Sequence, residues 1–152
     1  KVAFKVAFEH TQRTEFNYTD SVYVANKAYP ELDLDRDFKS RKFNAQMNFK
    51  PFNVGELVAF FGHSNNTNLA NTSAGRNQIK DWKINEYQLK YVHPRFFLNT
   101  YYQTSNTEDT YAMNQRTQNY VSFINAGFSQ EEARRRSFDE QWFGASPAAG
   151  VA

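Results

Sequence analysis

The three histidines of this chain, one of them followed by a serine, are its candidates for nucleophilic, acid–base or metal chemistry. His10, His63 and His93 are far apart and lack the spacing of a metal site. Ser64 follows His63 but has no flanking glycines of the kind found in a nucleophile elbow. The chain contains no cysteine, which excludes disulfides and thiolate ligands. We therefore predict no catalytic residue, no metal site and no cofactor, and we expect that the protein is not an enzyme.

An acidic run offers a second kind of chemistry. Asp33, Asp35 and Asp37 alternate in the way that oxygen ligands alternate in calcium-binding loops. The glycine and the terminal glutamate of an EF-hand loop are both missing. A calcium-binding loop and a solvated acidic loop are therefore both compatible with the sequence.

The composition favours strands and argues against a nucleic-acid partner. The 152 residues suffice for one domain with a hydrophobic core. The mean hydropathy is low, at −0.78, yet 17% of the residues are aromatic, with 15 phenylalanines and 9 tyrosines. Such aromatic residues are enriched in strands. The formal net charge is only +2 and no dense basic run occurs, so we predict no nucleic-acid partner.

The segment KFNAQMNFK shows the pattern from which the strands are predicted. Its odd positions, from Phe43 to Phe49, are apolar, and its even positions, from Asn44 to Lys50, are amides or a lysine. Because side chains alternate between the two faces of a strand, one face is apolar and the other polar. Such segments predict strands near 1–9, 41–50, 57–65, 84–92 and 96–104. The phase of the third strand stays open, because LVAFF is apolar on both faces.

The connections between these strands alternate between long and short. Polar stretches at 10–40 and 66–83 alternate with tight turns at 51–56 and 93–95. Aromatic residues gather at the short-turn end: Phe49, Phe52, Tyr91, Phe96 and Phe97. Transmembrane β-barrels have this loop asymmetry and such aromatic girdles. A soluble sandwich shows the same alternation along its strands but rarely has loops of this length.

The last third of the chain changes to helical spacing. Apolar residues recur at this spacing between Tyr120 and Ile124, and Gly127 stands where a helix C-cap belongs. Ser129 and Glu132 match a capping box. The sequence therefore predicts helices at 115–126 and 130–143, which together form a helical hairpin inserted at 115–143.

Two segments, PFNVGE and DWKINEYQLKYVHPRFFLNTYYQTSNTEDTY, resemble the barrel of TonB-dependent outer-membrane receptors. In that family a DW-type segment often precedes a strand, and a turn similar to YVHPRFF leads into the next strand. The resemblance covers roughly residues 1–112. It implies an all-β fold, an antiparallel transmembrane β-barrel with short turns on one side and long loops on the other. Residues 1–152 would be a fragment of that one barrel domain, with the helical hairpin in its last loop.

The resemblance also implies a location and a function. The protein would lie in the bacterial outer membrane and import a scarce nutrient, such as a metal chelate or an oligosaccharide. Its partners would be outer-membrane lipid, a plug domain and the remaining barrel strands of the parent chain, and the TonB complex acting through the plug. The alternative from another class is a soluble, secreted β-sandwich that binds carbohydrate.

Two sets of residues are predicted to carry this function. The polar strand faces would line the lumen beside the plug: Lys5, Glu9, Asn44, Gln46, Asn48, Glu86, Gln88 and Lys90. Aromatic and arginine side chains in the external loops are candidates for binding the imported ligand: Trp82, Tyr111, Arg116 and Trp142.

Overall fold

A computed structural model describes residues 1–51, 54–72, 75–107 and 109–139. The strands are β1 (Val2–Thr14), β2 (Ser21–Val24), β3 (Lys27–Pro30), β4 (Asp37–Phe49), β5 (Glu56–Thr72), β6 (Gly75–His93), β7 (Phe96–Asn106) and β8 (Tyr111–Ala112). The helices are α1 (Met113–Asn125) and α2 (Gln130–Asp139). Neither of these helices has the length and apolar character that crossing a membrane requires.

The long strands form one sheet in the order β1–β4–β5–β6–β7, and the short β8 pairs with β6. β4 is antiparallel to β5, and β6 is antiparallel to β7. The strands β2 and β3 form a separate two-stranded antiparallel sheet. The protein is thus mostly antiparallel β-sheet with two short helices, which fits the predicted all-β class.

The chain divides into two compact units. Of the described residues, the sheet unit comprises 1–13, 38–67 and 80–107, and the helical unit comprises 14–37, 68–79 and 109–139. Within the described ranges, every buried hydrophobic side chain belongs to the helical unit: Val22, Tyr111, Met113, Val121, Phe123 and Ala133. The sheet unit therefore has no apolar core of its own among these residues.

The predicted long connection at 66–83 is wrong. β5 continues to Thr72 and β6 begins at Gly75, so most of this stretch is strand. The polar residues of 66–71 suggested a loop because apolar alternation ends before them. A strand is held by backbone hydrogen bonds, however, and polar side chains do not prevent these bonds from forming.

The polar stretch at 10–40 also contains strands that were not predicted. β1 continues to Thr14, and the hairpin of β2 and β3 follows it. Ala25 and Asn26 connect the hairpin with φ values of 47° and 64°. Positive φ at both positions is the requirement of a type I′ turn. The sequence lacks the usual Asn-Gly or Asp-Gly signal for this turn, which explains why the hairpin was missed.

The register between β4 and β5 gives the phase that the sequence left open. Residues directly opposite each other in an antiparallel pair point to the same face. Ala45 lies opposite Phe61, and Met47 lies opposite Ala59. Phe61 therefore shares the apolar face of KFNAQMNFK, whereas Phe60 lies on the polar face, opposite Gln46.

The ends of the two helices match the capping residues that the sequence indicated. Gly127 has a φ of 89°, and its N–H donates to the Ile124 carbonyl at 3.0 Å. At the start of α2, the Glu132 N–H donates to Ser129 Oγ at 3.3 Å. The predicted second helix was to end at 143, and residues 140–143 lie outside the described ranges.

The turn glycine Gly55 offers a test of the sheet unit. Its φ is 94°, and a Cβ added there would lie 2.5 Å from Tyr91 Oη. We expect Gly55→Ala to lower the free energy of unfolding by more than the ~1–2 kcal/mol of left-handed strain alone. Gly127→Ala is the control, because its φ is +89° and nothing lies within 4 Å of the added Cβ. Urea unfolding of both variants measures the difference, and an equal loss would contradict the contact with Tyr91.

Candidate functional site

An aromatic row crosses four strands on the apolar face of the sheet unit. Phe43 on β4, Phe61 on β5, Tyr87 on β6 and Tyr102 on β7 form this first aromatic row. Their ring centroids are 6.1, 5.1 and 6.3 Å apart in that order. Each ring thus contacts the next across the sheet, at a spacing typical of paired aromatic side chains.

A second group of aromatic rings lies on the same face, near the turn between β6 and β7. Tyr91, His93 and Phe96 form this second aromatic cluster, with centroid distances of 6.3, 5.5 and 5.0 Å. Along β6, Tyr91 lies about 13 Å and His93 about 20 Å beyond Tyr87, at ~3.3 Å per residue. The apolar face therefore has rings at two levels along the strands.

On β4 to β7, aliphatic and small side chains occupy the space between these two levels. Ala45 and Met47 lie opposite Phe61 and Ala59, while Leu89 lies opposite Thr100. β1 adds an apolar row to the face, namely Val2, Phe4, Val6 and Phe8. A shallow groove lined in part by Phe4, Val6, Ala45 and Met47 joins this row to β4. We call the whole surface, with both aromatic levels, the apolar band.

The apolar band is exposed to an extent that is unusual for apolar side chains. The exposed fraction reaches 74% for Phe4 and 71% for Phe8 at the β1 side, and 65% for Tyr102 at the β7 side. Soluble monomers rarely expose contiguous apolar surfaces of more than a few hundred Å². The apolar band is therefore exposed across five strands, with no covering layer among the described residues of the sheet unit.

A line of polar side chains limits the apolar band beyond the first aromatic row. His63 Nδ1 lies 2.7 Å from Asn85 Oδ1, and Asn85 Nδ2 donates to Thr104 Oγ1 at 3.2 Å. Each of these residues is two positions from a ring of the first aromatic row on its own strand, so it lies on the same face. On β5, β6 and β7, the apolar band therefore ends and polar side chains begin two residues beyond the first aromatic row.

The residues predicted to face a lumen lie on the opposite, polar face. Lys5, Asn44 and Gln46 line one shallow cleft there, and Glu86 lines another together with Asn44. Gln46 Nε2 donates to Asn48 Oδ1 at 2.7 Å, and Gln88 Nε2 donates to Asn99 Oδ1 at 3.0 Å. Glu9 pairs with Lys42 at 3.2 Å, and Lys90 Nζ lies 5.5 Å from the Phe97 ring centroid. Several of these side chains thus have neighbours within the sheet as partners, while the lumen itself remains a prediction.

The residues predicted to bind the imported ligand lie in different parts of the chain's structure. Trp82 is in β6 and not in a loop, and its Nε1 donates to Ser105 Oγ at 2.7 Å. Tyr111 and Arg116 come together, but inside the helical unit, with only 2% and 8% of their surfaces exposed. Trp142 lies outside the described residues. Burial leaves Tyr111 and Arg116 little surface with which to contact a ligand.

Asp33 is the residue that joins Tyr111 to Arg116, and sequence analysis did not connect them. Arg116 Nη2 donates to Asp33 Oδ2 at 2.6 Å, and the Tyr111 hydroxyl donates to the Asp33 carbonyl. The Arg116 guanidinium also lies 4.2 Å from the centroid of the Tyr111 ring. Burial is the main cause that raises the pKa of Tyr111, to about 12. These contacts stabilise the helical unit.

The carboxylate of Asp33, in the acidic run, pairs with arginine side chains. Asp33 also pairs with Arg134 at 3.5 Å, and Asp35 Oδ1 accepts the Asp37 N–H at 3.0 Å. Within the described ranges, no group of three histidine, aspartate or glutamate side chains could hold a metal ion. Both carboxylate oxygens of Asp33 thus face arginine side chains.

A second ion pair in the helical unit also escaped the sequence analysis. Arg76 Nε donates to Glu31 Oε1 at 3.0 Å, and the Asp20 N–H donates to Glu31 Oε2 at 3.1 Å. The Glu31 side chain is only 1% exposed, and its pairing raises the pKa of Arg76. Because 45 residues separate the partners, no local spacing could have revealed them.

Two clefts lie in the described part of the helical unit. The charged cleft, of about 540 Å³, is lined by Arg116, Gln130, Glu131, Arg134, Arg135, Phe138 and Asp139. The aromatic cleft, of about 410 Å³, lies between β3, α1 and the start of α2. Tyr29, Tyr120 and Phe128 supply its aromatic rings.

The chain matches no protein-family model, no curated protein and no solved structure. Its function must therefore be argued from its own surfaces. The apolar band, the polar face behind it and the clefts of the helical unit are the features on which that argument rests.

Removing the charge of Asp33 tests the ionic centre of the helical unit. Asp33→Asn leaves the guanidinium of Arg116 buried beside a neutral amide, and buried charges without partners are costly. Asp33 is partly exposed, at 31% of its side chain, so we expect a loss of about 1–3 kcal/mol in unfolding free energy. Thermal unfolding measures the loss. The control is Asp109→Asn at an exposed position, and equal losses in both variants would be the contradicting result.

Proposed function

We propose that this chain is a segment of the transmembrane β-barrel of a TonB-dependent receptor in the bacterial outer membrane. The receptor imports a scarce nutrient, and the resemblance of the sequence to that family supports this choice. The observation that carries the proposal is the exposed apolar band with aromatic rings at two levels. Barrels of the outer membrane have an outward apolar surface between two aromatic girdles.

The lengths of the strands support a membrane-spanning role. A transmembrane β-strand needs roughly 9–11 tilted residues. β1 and β4 have 13 residues each, β5 has 17, β6 has 19 and β7 has 11. Every long strand of the sheet is therefore long enough to cross the hydrocarbon layer.

The absence of an apolar core in the described part of the sheet unit supports lipid as the partner of the band. In water, a sheet needs a second apolar layer to bury its own apolar face. In the proposed barrel the lipid chains form that layer, and the polar face looks inward to water and the plug. The hydrogen-bond network of the Gln46 and Asn48 amides and the Glu56 carboxylate suits a wet interior.

The two edges of the sheet imply further strands. β1 and β7 stand at the ends of the strand order, so each has one edge without a neighbour in that order. Unpaired backbone groups in lipid cost several kcal/mol each, so spanning sheets close into barrels. The proposal therefore includes remaining barrel strands, and a plug through which the TonB complex acts.

The charges of α2 belong outside the bilayer under this proposal. Arg134, Arg135 and Arg136 are consecutive, and the latter two pair with Glu132. These pairs lower the pKa of Glu132 to about 2, so the carboxylate stays ionised at neutral pH. A segment with this charge would be costly within lipid.

A soluble carbohydrate-binding sandwich is supported less well. Its second sheet would have to pack about 10 Å above the apolar face and cover five strands. The other sheet in the described ranges is the hairpin of β2 and β3, with four residues in each strand. Two strands of this length could not cover the apolar band.

Charge placed on the two faces of β4 tests the proposal. Met47→Arg should reduce assembly in the outer membrane, because a cation in the lipid band costs roughly 2–4 kcal/mol near the midplane. Gln46→Arg, one residue away on the polar face, is the matched control and should assemble nearly as well as the wild type. The measurement is the amount of folded receptor in the outer-membrane fraction of cells. Equal assembly of both variants, or wild-type protein in the aqueous fraction, would contradict the proposal.

A further inference from the structure

The aromatic cleft of the helical unit has the composition of a small-molecule site. Its volume of about 410 Å³ falls within the ~300–1,000 Å³ that is common for ligand pockets. Tyr29 on β3 and Tyr120 on α1 supply aromatic surface, and Phe128 adds a third ring before α2. Such pockets are mostly apolar and carry a few polar groups that orient the ligand.

The polar groups of the aromatic cleft are all uncharged. Asn125, Ser129 and Gln130 are exposed and line it together with the rings. None of its lining side chains carries a formal charge. Two cations contact rings of the cleft: Lys27 Nζ lies 5.4 Å from the Tyr29 centroid, and the Arg136 guanidinium lies 4.7 Å from that of Phe128. Arg136 is already paired with Glu132 at 2.7 Å.

The charged cleft is larger but is a weaker candidate. Asp33 already binds Arg116 and Arg134, and Asp139 binds Arg135 at 3.2 Å. An anionic ligand would have to displace these carboxylates. The arginines of this cleft are therefore committed to contacts within the helical unit.

The lining of the aromatic cleft selects the chemical class of its ligand. An ionised ligand would lose water without meeting an opposite charge among the lining groups, which is unfavourable. A wholly apolar ligand would make no hydrogen bond to the exposed amides of Asn125 and Gln130 and would gain nothing from them. A ligand with apolar faces and hydroxyl edges matches both the rings and the amides, which donate and accept hydrogen bonds at once.

We infer that the aromatic cleft binds a neutral oligosaccharide, with a sugar ring stacked on Tyr120 or Tyr29 and its hydroxyls bonded to Asn125 and Gln130. As the site of the imported nutrient, it rests on the proposed receptor function. Binding itself requires only the helical unit's cleft and no insertion into a membrane. Of the two cargoes named above, an uncharged sugar therefore fits this cleft better than a charged metal chelate.

The test is calorimetric titration of the full chain, kept in detergent, with defined probes. The neutral probes are hexasaccharides of β-glucan, xylan and galactan, and the acidic probe is hexagalacturonate. At least one neutral probe should bind, and hexagalacturonate should bind at least about tenfold more weakly, because its carboxylates meet no cation among the lining side chains. Binding of no neutral probe, or stronger binding of the acidic one, overturns the inference.

Variants locate the binding in the cleft. Tyr120→Ala removes a stacking ring and should weaken the neutral probe about tenfold or more. Tyr23→Ala is the control, because Tyr23 is 68% exposed on the neighbouring strand β2 and does not line the cleft. Gln130→Ala, at an exposed helical position, should weaken binding severalfold without disturbing the fold. Equal affinities for all three variants would overturn the assignment of the cleft.

The outcome separates this inference from the barrel proposal. If a receptor that inserts into membranes binds no neutral probe, the cleft assignment alone fails. If a water-soluble protein binds a neutral probe and loses it with Tyr120→Ala, the cleft assignment stands and the barrel proposal fails.

Discussion

The register of the sheet is the constraint on which the rest of this structure depends. Antiparallel pairing places Ala45 opposite Phe61, and Tyr87 opposite Tyr102, so that one alternating set of apolar residues from these strands shares a face. Phe60 and Tyr101 lie on the other face, opposite Gln46 and Gln88. A shift of one residue in any pair would move a whole set of apolar side chains to the other face. No described residue covers this apolar face. Whether lipid or another protein covers it therefore determines whether the sheet lies in a membrane or in water. Lipid fits that role through the two aromatic levels and the lengths of the strands.

The helical unit is stabilised by a different principle. Its apolar core is small, and buried charges are paired within it: Arg116 with Asp33, and Arg76 with Glu31. Such pairs are costly to break but contribute little net stability over an apolar core. The ion pairs do fix the positions of their side chains, because a partner that moves away leaves a buried charge without its counter-charge. A rigid unit of this kind suits the presentation of a ligand cleft such as the one between Tyr29 and Tyr120.

The sequence predicted those elements whose signal lies in residues close together along the chain. Alternation predicted the centres of the long strands, and Gly127 and Ser129 marked the helix ends that the structure has. It was insufficient where backbone pairing continues through polar residues, as in β5 beyond Asn65. It was also insufficient for Tyr111 and Arg116, whose residue types suggested exposed ligand contacts. Their burial depends on Asp33, 83 residues from Arg116, and no spacing rule links such distant positions.

The central claim, that lipid covers the apolar band, is tested most directly by fluorescence quenching at two neighbouring positions. Trp82 and Trp142 are replaced by phenylalanine, and a single tryptophan is introduced by Met47→Trp or by Gln46→Trp in the membrane-embedded receptor. Lipids brominated on their acyl chains should strongly quench the fluorescence of Met47→Trp and leave that of Gln46→Trp nearly unchanged. If both tryptophans are equally protected from the brominated chains, the band is covered by protein and the account is wrong.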